Sequence, residues 1–93
     1  MLTTLLTKLY GGYLMDVNDL LVYAIDESMR INKDEIFLIK DLFKGYEWNR
    51  LSINERRNLG RFFFEESQNP YLKNGTIVAL EKNSANQQMY QKC

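Results

Sequence analysis

Along residues 16–31, DVNDLLVYAIDESMRI, the apolar positions recur at helical spacing. Val17, Leu20, Leu21, Ala24, Ser28 and Ile31 share one face, which predicts an amphipathic helix. Asp16 stands where it can cap that helix, and Asp19 follows three residues later, where a carboxylate suits the positive end of the helix dipole. Asn32 follows the last apolar position as a stop. Upstream, Leu2, Leu5, Leu6 and Leu9 also keep helical spacing. Residues 1–15 are therefore expected to form an N-terminal arm or a short helix ending at Gly11-Gly12, with the main domain at 16–93.

Downstream, EIFLI (Glu35 to Ile39) is short, apolar and partly β-branched, so a short strand is expected. Asp41 to Lys44 suit a short helix ended by Gly45, and Tyr46 to Leu51 read as a connection. Ser52 and Glu55 form an S-x-x-E capping box at the head of a third helix, expected from about Ile53 to Gln68. Successive side chains lie about 100° apart around a helix axis. That phase groups Ile53, Leu59, Gly60, Phe63, Phe64 and Ser67 on one broad face, and Asn54, Arg57, Asn58 and Arg61 on the other. Phe62 points cleanly to neither, and Gly60 suggests close approach of another element. Leu42, Phe43, Leu59 and Phe63 are the expected core anchors.

Asn69-Pro70 breaks the helix, and Asn74-Gly75 marks a turn. Thr76 to Lys82 has strand propensity, 83–86 (NSAN) is a polar loop, and QQMYQK returns as a second strand. The expected fold is mainly α with a small β-hairpin, in the order α-β-α-α-β-β of a winged helix-turn-helix.

Composition narrows the functions. The chain has 93 residues, enough for one domain, and twelve basic against twelve acidic side chains. Residues 1–35 hold three basic and six acidic side chains, whereas residues 36–93 hold nine and six. That asymmetry permits a basic face on a neutral protein, although a solvated mixed-charge surface is the plain alternative. With no histidine and one cysteine, Cys93, the commonest general base and most zinc sites are missing. No internal disulfide can form, which fits a reducing cytoplasm. No carboxylate pair stands out, so the chain reads as a non-enzyme without metal or cofactor. Its apolar runs are too short for a membrane span, which needs about 20 residues.

What chemistry remains is that of nucleic-acid binding. Arg57 and Arg61 offer bidentate, permanently charged donors for phosphate, and Asn54 and Asn58 can donate and accept at base edges. Against this stands a solvated helix face with pairs such as Arg61–Glu65. Tyr46 and Trp48 lie between Lys44 and Arg50, and Tyr90 lies between the hairpin loop and Lys92. Aromatics interleaved with cations suit single strands, because bases stack on rings while cations track the backbone. Trp48 reads equally as an anchor for the core. The candidate interface is Lys44, Tyr46, Arg50, Asn54, Arg57, Asn58, Arg61, Lys82 and Tyr90, with Phe62 as a further stacking candidate.

The segment FLIKDLFKGYEWNRL…ERRNLGRFF resembles a small bacterial family known as a domain of unknown function. Its members occur in mobile elements of Gram-positive bacteria, including staphylococcal cassette chromosomes, phages and plasmids. The matching positions are Lys40-Asp41-Leu42-Phe43, Trp48, Arg57, Leu59-Gly60-Arg61 and Phe63, and more weakly Asn86 and Tyr90. The resemblance spans about 35–92 and implies a winged-helix single-stranded DNA-binding protein, encoded near a replication helicase or primase-polymerase. The expectation is thus a non-catalytic single-stranded DNA-binding protein. The alternatives are a double-stranded DNA-binding regulator and an adaptor for a replication helicase or polymerase. The uncharged hairpin loop and the zero net charge weigh against strong duplex binding.

Overall fold

The computed structural model describes residues 8–10 and 13–93, with side chains from Asp16 onward. A hairpin of β1 (Lys8–Tyr10) and β2 (Tyr13–Met15) leads into α1 (Val17–Ser28). The helix expected over Leu2 to Leu9 lies mostly outside the described residues, and its last two positions, Lys8 and Leu9, are strand rather than helix. β3 (Ile36–Phe37), a single 3-10 turn (Ile39–Leu42), α2 (Gly45–Asn49) and α3 (Ile53–Phe64) follow. A short α4 (Pro70–Lys73) precedes the hairpin of β4 (Ile77–Lys82) and β5 (Gln88–Lys92). The fold is mainly α with a small three-stranded antiparallel sheet, ordered β3-β5-β4. The expected element order is present, with α4 added between the third helix and the hairpin.

One device starts nearly every helical segment. A carboxylate three residues into the segment accepts the backbone N–H at its head: Asp19 from Asp16, Asp41 from Leu38, Glu47 from Lys44 and Glu55 from Ser52. Asp16 and Ser52 return the bond to the third residue and complete full capping boxes. Glu35 does the same for Asn32 N–H in the turn before β3. Gly45 therefore opens a helix instead of ending one, because Glu47 can cap Lys44 from there. Tyr46 to Asn49, expected as a connection, are helical.

The core is built where α1 and α3 meet the sheet. Leu20, Leu21, Ala24, Phe37, Leu42, Phe43, Leu59, Phe63, Ile77 and Tyr90 are all buried there. Burying one such large apolar side chain stabilises the fold by about 1.5–3 kcal/mol. Tyr90 is at the centre of it, on the middle strand, with its ring 5.8 Å from Phe37 and 5.0 Å edge-on from Phe63. α3 ends four residues earlier than expected. Asn69, fully buried, donates to the Phe63 carbonyl and accepts from Tyr71 and Leu72 N–H, closing α3 and opening α4 with one side chain. Phe64 is 52% exposed and Ile53 60%, against the expected apolar face. They occupy the last and first positions of α3. Gly60 is not there to admit a close neighbour, since a Cβ at this position would meet nothing within 4 Å.

β5 is tied to the end of α1 by Lys92, whose Nζ donates to the carbonyls of Ser28, Met29 and Ile31 at 3.4, 3.2 and 2.9 Å. The Ser28 and Met29 carbonyls lie at the C-terminal end of α1, where intrahelical donors run out, so the lysine both caps α1 and anchors the strand.

Candidate nucleic-acid interface

An open cleft of about 490 Å³ separates α3 from the hairpin. α3 contributes Arg56, Arg57 and Arg61 to it, and the hairpin contributes Lys82, Gln88 and Tyr90. Lys82 pairs with Gln88 just beyond a register shift in the β4–β5 ladder, an irregularity of the sort that re-aims side chains at the edge of a sheet. Gly60 and the exposed Phe64 also line the cleft. No carboxylate is among the residues lining the cleft.

The carboxylates are committed elsewhere. Asp41, Glu47 and Glu55, half of the acidic side chains after residue 35, are occupied by backbone N–H groups. A chain of zero net charge can therefore leave cations facing a common space without local neutralisation.

The cleft continues along the protein surface. Ile39, Gly60 and Gln88 are shared with a second hollow that reaches Lys40, Trp48 and Gln87, and Lys40, Trp48 and Arg56 line a third. The three form one track from the end of α3 to the start of α2. Trp48 is half-buried, 5.8 Å from Phe43, and Arg56 lies over its ring at 5.4 Å while donating to its carbonyl at 3.2 Å. The core-anchor role weighed for Trp48 is thus its observed packing, with one side on the track.

The structure divides the candidate residues into groups. Arg57, Arg61 and Lys82 meet at the cleft. Lys44, Tyr46 and Arg50 form a separate exposed cluster on α2, with Lys44 and Arg50 at 5.9 and 4.9 Å from the Tyr46 ring centroid. A hydrogen bond with Tyr46 pushes the Lys44 ammonium pKa up. Asn58 accepts from Arg61 at 3.2 Å and so orients that guanidinium, which also lies 5.0 Å from the Phe62 ring. Asn54 is exposed near the start of α3 and does not line the cleft. Phe62 packs partly against the core. Tyr90 is corrected as a stacking residue: it is fully buried between Phe37 and Phe63, so no base can reach its ring faces. It reaches the cleft only as part of its lining.

Sequence reading missed Arg56 and Phe64. Arg56 falls between Ile53 and Leu59 on the helix wheel, inside the face read as packed, whereas Phe64 lies at the edge of that face beside Ile53. The available signal was the length of α3, because a helix ending at Phe64 leaves that ring without cover.

These features define a class: a small helical domain whose C-terminal hairpin and third helix frame a cationic cleft. The chain belongs to the family described as Domain of unknown function (DUF1413), matched over residues 23–92. No curated protein and no solved structure matches it.

Proposed function

We propose that this protein binds single-stranded DNA without catalysing a reaction on it, and that it serves the replication of a mobile genetic element in the cytoplasm. The observation that carries this reading is the cleft in which Arg56, Arg57, Arg61 and Lys82 converge with no lining carboxylate. Cations gathered from two elements along a track suit a run of phosphates, and Phe64, exposed and lining the cleft, offers a ring for a base. The cleft is concave. Duplex DNA is read by a convex element that enters its groove, whereas an unpaired strand can lie in a concavity. The replication setting, with a nearby helicase or primase-polymerase as partner, rests on the resemblance of the KDLF…W…LGR segment.

Fluorescence anisotropy with labelled single-stranded and duplex oligonucleotides at two salt concentrations tests the reading. Tighter binding to the single strand is expected, with affinity falling as salt rises by a slope of about −0.7 per phosphate contact. Equal affinity for duplex would support the regulator instead, and no binding to either at low salt would leave the adaptor.

A further inference from the structure

The phenolic oxygen of Tyr90 and Nε of Arg56 are both buried without a hydrogen-bond partner in the protein. Both residues line the α3–hairpin cleft. Buried donors are paired in the great majority of proteins, so two in one cleft need a reason. Packing does not supply it. The Tyr90 ring is fully enclosed by the core, and a phenylalanine would fill the same space. Burial pushes the phenol pKa up, which keeps the hydroxyl protonated across the physiological range. Arg56 is fixed at its far end by the Trp48 carbonyl and ring, which leaves Nε–H as a donor held in place. Arg57, Arg61 and Lys82 surround the same space. Two fixed donors beside three further cations match a small anion with several acceptor oxygens.

We propose that the floor of the cleft is a discrete phosphate site, in which the Tyr90 hydroxyl and Arg56 Nε–H donate to one phosphate group while Arg57, Arg61 and Lys82 neutralise it. The inference rests on the nucleic-acid reading for the source of that phosphate, a phosphodiester of the bound strand. A strand held this way has one fixed point of register, in contrast to uniform tracking by exposed cations.

Tyr90→Phe removes one oxygen and tests the site. Melting temperature is measured in chloride and in inorganic phosphate at equal ionic strength, and binding of labelled oligo-dT by anisotropy. The variant should melt no lower than the wild type in chloride, lose most of the phosphate-dependent rise, and bind oligo-dT about tenfold more weakly, the scale of one hydrogen bond to a charged group. Arg56→Lys keeps the charge but not Nε, and should lose the phosphate response likewise. Wild-type phosphate response and oligo-dT affinity in both variants would overturn the site while leaving the nucleic-acid reading standing. A Tyr90→Phe protein that melts well below the wild type would also overturn it, by giving the hydroxyl a structural role. A phosphate response abolished in Tyr90→Phe, with no oligo-dT binding by the wild type, would uphold the site but assign it to a phosphorylated small molecule.

Discussion

On α2, Lys44 and Arg50 crowd the ring of Tyr46, and the three side chains largely serve one another. In the cleft, cations from α3 and from the far end of β4 converge from positions more than twenty residues apart, around space that no carboxylate shares. Both regions show the composition expected of a nucleic-acid surface. They differ in how far the cations converge. A cation lying on an aromatic ring gives up part of that contact to bind a phosphate. Arg56 and Arg61 share that cost, over Trp48 and Phe62, but they converge with Arg57 and Lys82 on one open space from two separate elements. Local sequence shows the first arrangement easily and the second hardly at all.

The largest expected effect comes from removing the seat on which the cleft is built. Phe63 is fully buried on the inner face of α3 and against Tyr90. Phe63→Ala should cost about 3–5 kcal/mol in denaturant unfolding, with the cleft lost and the local α2 cluster less affected. An unchanged midpoint would show that the hairpin does not depend on this contact.

Removing charge sharpens the comparison next. Arg57→Ala and Arg61→Ala should each lower affinity for a single strand and flatten the salt slope by about 0.7, while Lys44→Ala and Arg50→Ala leave the slope nearly unchanged. The reverse pattern in a salt titration would move the interface to α2.

Gly60→Ala separates folding from binding. The Cβ meets nothing in the protein, so helix propensity should raise stability by about 1 kcal/mol, read as a higher melting temperature. The methyl group projects at the cleft wall, so binding should weaken in the same variant.

Tyr46→Ala should do least, with less than a twofold change in affinity, because Arg50 already lies over the ring at 4.9 Å. A loss of about 1–3 kcal/mol of binding would mean that a base displaces Arg50 and stacks there.

What the sequence made legible was local. The capping residues Asp16 and Ser52 fix where α1 and α3 begin, and both boxes are read from residues three apart. The hairpin follows from a polar loop between two β-prone runs. Leu42, Phe43, Leu59 and Phe63 are buried as their spacing predicts. One error is local: the Glu47 carboxylate caps Lys44, so Gly45 opens α2 where the sequence reads a helix end. The others are tertiary. Tyr90 sits among polar and basic neighbours in the chain and reads as surface, but β5 lies between β3 and β4, and the middle strand turns its central side chain into the core. Phe64 belongs by phase to the packed face, yet Asn69 closes the helix at that residue and leaves the ring uncovered. Arg56 is ordinary in the sequence and acquires its interest only from Trp48, eight residues earlier and folded back beside it.

The place of β5 also bears on how the protein is made. The strand at the middle of the sheet is made after both of its neighbours, and its Lys92 reaches back more than sixty residues to close α1. Until residues 88–92 emerge, β3 and β4 have no strand between them, and each offers an unpaired edge to any extended chain nearby. Contacts of such long sequence separation slow folding relative to the local helices. The helices can form before residues 88–92 are made, but the cleft appears only once β5 is in place, so a chain cut before β5 would carry the arginines of α3 without the wall that gathers them.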